Sequence, residues 1–478
     1  MKKRTTTLTG TVILSSVLLL AACGGGGEQD TNNNAGSNEE EASGSSAPMN
    51  NDNMPMDDED MPMNDEDGHM NDEDMPMNDE DGHMNDEDMP MNDENGHMND
   101  EDSMGGNDRE SFEEEAAQLP EDFNENADQN LQTTNTKNIT RLDAETPEAF
   151  SITASQTIWP ATHEANQPGT IILADPEEWQ ETLAALTLVH HPNDGPLLLM
   201  EDGLTEELMA EIERLAPLGN DNGVEILAAA TLSEEDEAQL EDYNVEQIEA
   251  EDPAAFAKEV EDRFADTIDE RPDGVLIGSM NEEHQASSMI AGSWIAHMNE
   301  SLLYVDESVP EATQEALEER DGEAEMYILG SEETISAEVE EELAEFGDVQ
   351  RIEGESPAEL SINFASYEDE EFGWGINEPG HGLVFASPEE AELALAGAPL
   401  AHLGKHAPMI WVEGDELQQE HADYLAKLKP HFEDAPMEGP YNHGYILGGE
   451  EVISFQTQGI IDDKMEIQPL GGGGHGMH

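Results

Sequence analysis

The chain has 478 residues, with 16 lysines and arginines against 114 aspartates and glutamates, for a formal net charge of −98. So few cations leave no basic surface to release phosphate counterions, which excludes nucleic acid as an expected partner. The single cysteine, Cys23, excludes a disulfide within one copy. A charge of this size strains the compact state by self-repulsion, which salt screens: at about 1 M the Debye length is about 3 Å. The surplus acid runs along the whole chain, which predicts a halophilic, exported protein rather than one with a single acidic site.

The N-terminus reads MKKR, then TTTLTGTVILSSVLLLAAC. The basic start, the apolar run too short to span a bilayer and the box Leu20-Ala21-Ala22-Cys23 resemble a bacterial lipoprotein signal. The resemblance implies that residues 1–22 are removed and that Cys23 carries lipid, so that the protein is anchored to the membrane from outside without spanning it. An ordinary secretory signal is the alternative. Loss of Lys2, Lys3 and Arg4, with no acid, takes the charge from −98 to −101.

Residues 23–136 have few aromatic or branched apolar side chains, and they read as a disordered acidic tether that self-repulsion extends. Within it MPMNDEDGHMNDED, residues 61–74, recurs at 75–88 and, with changes, at 89–102. The repeat sets out three M-P-M pairs: Met61 with Met63, Met75 with Met77, and Met89 with Met91. It also sets out three His-Met pairs: His69 with Met70, His83 with Met84, and His97 with Met98. The Gly/His-rich tail, 469–478, adds His475, Met477 and His478 in the same style. Thioethers suit Cu(I), and imidazole suits Cu(II), Zn and Ni, so the pattern is a candidate copper or soft-metal site. A solvated spacer needs no ligand and is the preferred reading. NDEDG at 64–68 is a poor calcium loop, because its first ligand position falls on Met63.

From residue 137 four blocks recur three times in the same order. ITRLDAETPEAF (139–150) matches VEQIEAEDPAAF (245–256) and VQRIEGESPAEL (349–360). GTIILADPEEW (169–179) matches GVLIGSMNEEH (274–284) and GLVFASPEEAE (382–392). GPLLLMEDG, ESLLYVDES and APMIWVEGD follow, then VEILAAATLSEE, MYILGSEETISA and GYILGGEEVISF. The units span 137–242, 243–348 and 349–468. TIILA, VLIGS and LVFAS read as buried strands, and PEEWQETLAALTLVHH (176–191) and ESVPEATQEALEER (307–320) as helices. The pattern predicts an α/β protein of three tandem modules, each a parallel sheet covered on both faces.

The units resemble the cell wall-binding repeat 2 family. The third carries the motifs most fully: Arg351-Ile352-Glu353-Gly354, LVFAS, LALAGAPLA (393–401), Pro408-Met409-Ile410-Trp411 and YILGG (445–449). The first keeps Arg141 and Pro196-Leu197-Leu198-Leu199 but has EILAAA where the Gly-Gly turn is expected. The second has Gln247 for the arginine and Ser301-Leu302-Leu303-Tyr304 for P-I-L-L, and keeps Gly330. The resemblance implies a pseudo-threefold arrangement and noncovalent attachment to anionic polymer of the Gram-positive cell wall. The family's P-I-L-L strand carries polymer binding, which points to Pro196, Leu197, Leu198, Leu199, Leu302, Leu303, Pro408, Met409 and Ile410. A buried strand is the commoner reading of such apolar runs, which would then shape a groove whose neighbours touch the polymer. A polyanion should also avoid so acidic a protein. High salt, bridging Ca²⁺ or Mg²⁺, or cations such as Arg141, Arg351 and Lys405 gathered in one groove would each overcome this, and screening is favoured. Salt bridges at unit junctions are the simpler role for Arg141 and Arg351.

No G-x-S-x-G, H-E-x-x-H or Walker loop occurs, so no catalysis is expected. His190-His191 read as a helix C-terminal cap. His402 and His406, four apart, are spaced to share a metal, but a helix end before Pro408 is preferred. Two functions remain in view: a lipid-anchored wall-binding protein, and an extracellular metal-binding protein that uses the modules as scaffold.

Overall fold

The computed structural model describes residues 104–470, apart from 121–123, 125, 202, 269, 371, 403–405 and 415. Several residues singled out in the sequence lie outside the described residues. They are Cys23, Lys405 and the tail's His475, Met477 and His478. The whole set of candidate metal ligands in the repeat lies outside as well: Met61, Met63, His69, Met70, Met75, Met77, His83, Met84, Met89, Met91, His97 and Met98.

Among the described residues fourteen strands follow in chain order: β1 Ile139–Leu142, β2 Ile171–Ala174, β3 Leu197–Leu199, β4 Ile226–Ala229, β5 Val245–Gln247, β6 Gly274–Ser279, β7 Ser301–Val305, β8 Ala324–Leu329, β9 Gly347–Ile352, β10 Gly382–Ala386, β11 Met409–Trp411, β12 His431–Phe432, β13 His443–Leu447 and β14 Gln468–Pro469. They make three four-stranded sheets, β3-β2-β4-β5, β7-β6-β8-β9 and β11-β10-β13-β1, with β12 and β14 as a separate pair. Every pairing among the described residues is parallel. The inner strands are continuous apolar runs because helices cover both of their faces; all of β2 is fully buried. β5 and β9 stand at sheet edges and alternate in burial, with Glu246, Asp348 and Gln350 outward.

The sheets are offset from the sequence repeats by one strand. β5 opens the second repeat but pairs with β4 of the first, and β9 opens the third but pairs with β8 of the second. β1, which opens the first repeat, pairs with β13 of the third, from Ile139 opposite Gly444 to Leu142 opposite Leu447. The three units therefore close into a ring.

The opening helix of each repeat begins at the same proline for the same reason. Thr146, Asp252 and Ser356 each accept a backbone N–H three residues on, and Pro147, Pro253 and Pro357 supply a first turn that needs no donor. These helices, Pro147–Ile158, Pro253–Ile268 and Pro357–Ser366, pack against the central helix of the preceding unit, in cyclic order. The central segments are Trp179–Val189, Gln285–Ile295 and Ala391–Ala401. The first differs from the expected 176–191: its α-helix starts only at Trp179, because Asp175 instead closes a turn onto Glu177, and it tightens to a 3₁₀ turn at Leu186. The central segments meet at Gly292, where an added Cβ would lie 3.0 Å from Leu186 Cδ1 and 3.7 Å from Ala398 Cβ. Buried polar bonds lock the same junctions. Tyr304 Oη donates to the Gln180 carbonyl at 2.7 Å, and Trp411 Nε1 to the Ala286 carbonyl at 2.8 Å.

The stretch expected to be a disordered tether up to residue 136 includes described structure beginning at Met104. A helix, Met104–Ala116, packs on the helix Gln419–Lys427, and Leu119 packs against the core. Phe112 meets the His431 ring at 5.7 Å, and Lys464 Nζ donates to the carbonyls of Ala116 and Gln118. The few apolar residues of SFEEEAAQL suffice because the third unit offers them a partner surface.

The offset also explains the uneven motifs. Arg141, 6% exposed, donates Nη1 to the carbonyls of Gly448 and Gly449 at 2.8 Å, Nη2 to Ile453 at 2.7 Å and Nε to Gln458 at 2.9 Å. Arg351 does the same for the second sheet, with Nη1 to Gly330 at 3.0 Å, Nη2 to Ile335 at 2.9 Å, and an ion pair to Glu340 at 2.6 Å. The arginine of one repeat thus holds the glycine turn of the repeat before it. In the first sheet both partners are replaced together: Gln247 stands for the arginine and Ala229-Ala230 for the glycines. The unit-junction ion pair expected for both arginines is found for Arg351; Arg141 holds carbonyls and an amide instead. Removing Arg141 orphans three buried carbonyls. Arg141→Met is expected to lower the unfolding free energy by about 2–4 kcal/mol, and Gln247→Met to change it by less than about 0.5 kcal/mol, in urea unfolding at high salt.

Candidate functional site

The P-I-L-L positions lie in β3, β7 and β11 and are enclosed. Leu198, Leu199 and Leu303 are 0% exposed, and Met409 is only 5% exposed. Pro196, Leu197, Leu302, Pro408 and Ile410 are buried as well. These side chains are packed into the core and face no solvent, although β3, β7 and β11 each stand at an edge of their sheet. Arg141 and Arg351 are committed to turns in two different sheets, so no shared cationic groove forms from them.

What these strands do position is the loop at each carboxyl end, where open α/β sheets take their ligands. Two residues beyond Leu199, Tyr304 and Trp411 stand Glu201, Asp306 and Glu413, one carboxylate at the same place in each unit. Glu413 lies beside the N-terminus of the helix Pro357–Ser366, with Oε2 3.5 Å from the Ala358 N–H. Like charges crowd these mouths. Burial first, then Glu392, Glu451 and Glu389, raises the pKa of Glu390, and burial with Glu201 and Glu207 nearby raises that of Glu148.

A second constellation lies at one end of the ring's centre. Each central segment ends in a histidine: His190 after Val189, His297 shortly after Ile295, and His402 after Ala401. The His190 and His402 rings are 5.2 Å apart, and those of His297 and His402 6.4 Å. His406 stands 5.1 Å from His297 and 5.4 Å from His381, with the two Nδ1 atoms of His406 and His381 3.4 Å apart. Trp374 stacks on His297 at 5.5 Å, nearly parallel. Asp194 receives His402 Nε2 at 2.9 Å on one oxygen and His191 Nδ1 at 2.8 Å on the other.

His190 occupies the expected cap position, but its ring faces His402 and Phe264. His402 and His406 do not share a point; the first turns to Asp194 and the second to His381 and His297. Burial, reinforced by the neighbouring His406, His402 and His190, pushes the His297 pKa down to about 4. Burial likewise lowers His190, His406 and His381. The hydrogen bond from His402, followed by that from His191, holds Asp194 at about 2 against the cost of its burial. Among the described residues no three His, Cys, Asp or Glu side chains stand arranged to hold a metal ion. Sequence reading missed the convergence; the signal was VHH, AHM and AHL at the ends of three equivalent helices.

No family model matches the chain, and no curated protein matches it. Among solved structures, Cwp6 from Clostridium difficile is similar with a TM-score of 0.55 and 15% identity over 69% of this chain and 48% of that one. Cwp8 from Clostridium difficile is similar with a TM-score of 0.53 and 20% identity over 69% of this chain and 52% of that one. The chain therefore spans about half the length of these structures, and the likeness establishes a shared fold of parallel α/β modules.

Because Asp194 titrates below the ordinary carboxylate range, its stabilisation is complete above about pH 4 and is lost as pH falls through about 2. Asp194→Asn is expected to flatten that acid limb and, after discounting for its partial exposure, to cost about 1 kcal/mol at pH 7. Thermal midpoints of the two proteins between pH 5 and pH 2 check this through their difference.

Proposed function

We propose that this chain is a lipid-anchored extracellular protein that holds the anionic polymer of a Gram-positive cell wall noncovalently, and that it is not an enzyme. The observation that carries this reading is the closed ring of three parallel α/β modules, a fold it shares with Cwp6 and Cwp8. The lipoprotein-like N-terminus and the acidic stretch behind it support an arrangement with lipid at one end, polymer at the other and a tether between. The contact surface passes from the buried P-I-L-L side chains to the loops they hold, at Glu201, Asp306 and Glu413. Arg141 and Arg351 serve the fold, so a polyanion is accommodated by screening at high salt or by Ca²⁺ or Mg²⁺ shared between carboxylate and phosphate.

The test is co-sedimentation of the mature chain with purified Gram-positive walls in high salt, beside walls stripped of anionic polymer. Binding to the first and not the second is expected, and deletion of residues 48–104 should leave it intact. Equal binding to both, or none, overturns the proposal. A chelator separates the two electrostatic routes: loss of binding with chelator, matched by a Glu201→Gln, Asp306→Asn, Glu413→Gln variant, assigns it to bridging cations, and indifference assigns it to screening.

A further inference from the structure

We propose that His381, His406 and His297 form a binding site for a borderline divalent transition metal, of which Zn²⁺ is the type, at the junction of the second and third units. Two imidazole nitrogens bound to one tetrahedral zinc, each at about 2.0–2.1 Å, lie roughly 3.3 Å apart. His406 Nδ1 and His381 Nδ1 are 3.4 Å apart. That separation is long for a hydrogen bond between two nitrogens, and it matches two ligands that face one ion. The ring of His297 stands 5.1 Å from that of His406, tilted by 60°. Its Nδ1 is buried and has no hydrogen-bond partner.

A second orphan lies in the same cluster. Trp374 Nε1 is also buried without a partner, and its ring lies 5.1 Å from His406 and stacks on His297. Buried polar atoms without partners are rare in folded proteins and call for an ion or water. The resting geometry brings two nitrogens to coordinating separation, and a turn of the His297 ring about its side-chain torsions supplies the third. Burial lowers the pKa of all three imidazoles and so favours the neutral form, the one that ligates. An all-imidazole donor set suits Zn²⁺, Ni²⁺ or Cu²⁺, and not calcium or magnesium, which take oxygen. Asp194 is engaged with His402 and His191 and stands outside the site.

The proposal is independent of wall binding and of the tether's Met/His repeat, and the test separates them. A metal held between two units of the folded ring raises the unfolding temperature, whereas a metal held by an extended tether binds folded and unfolded chain alike and does not. Zn²⁺ alone is added to the metal-free mature chain in high salt, and the thermal midpoint is read. A rise of several degrees is expected for the native chain and for a His69→Asn, His83→Asn, His97→Asn variant. The rise should vanish in His381→Asn, His406→Asn and persist in His402→Gln. Should the double variant fold poorly, Co²⁺ is added to the native chain, where intense visible bands of tetrahedral nitrogen coordination are expected at one equivalent of site-bound metal. No midpoint shift in the native chain, an equal shift in the double variant, or only the weak bands of octahedral Co²⁺ would overturn it.

Discussion

The structure depends on one pairing: β1, the first strand among the described residues, lies beside β13, about three hundred residues later in the chain. Bringing such distant segments together costs loop-closure entropy that grows only slowly with length, so a modest set of contacts meets it. Those contacts are specific. Gly444 is a glycine because Ile139 lies over it; an added Cβ would come within 2.4 Å of Ile139 Cδ1. Arg141 then pins the next turn through Gly448, Gly449 and Ile453. Since each sheet takes its fourth strand from the following repeat, no repeat holds a complete sheet of its own. Stability is a property of the ring more than of any unit.

The same closure fixes the path of the first described residues. The helix Met104–Ala116 and the residues after it run along the third unit before entering its sheet as β1. Arg109 bonds His431 and the Lys427 carbonyl, and Asn138 bonds Asp462 at 2.8 Å.

The charge imbalance shapes the interior as well as the surface. Scarce cations are placed where one guanidinium serves several acceptors. Arg320 and Arg271 share the buried Glu261, and Arg271 also reaches Asp262 and Glu319. Arg214 and Ser155 share Glu211. With cations committed in this way, the loops at the sheet mouths keep an acidic surplus. At the ring's centre histidines gather instead, with Asp194 at their edge.

Much of the fold was legible in the sequence, because an apolar run bounded by glycine and a proline behind a capping Thr, Asp or Ser act within a few residues. TIILA, VLIGS and LVFAS became inner strands, Pro147, Pro253 and Pro357 became helix starts, and the threefold recurrence announced three modules. Membership of the sheets was not legible. Nothing local tells Arg141 that its turn lies in the third repeat, so Gln247 and Ala229-Ala230 read as separate departures until the ring paired them. The P-I-L-L runs allowed both a buried strand, the commoner meaning of such a run, and a polymer contact; they are interior. The histidines of VHH, AHM and AHL were visible one at a time. Their convergence, and the separation of His402 from His406, follow from three helices meeting on one axis, a relation between distant segments that no local pattern encodes.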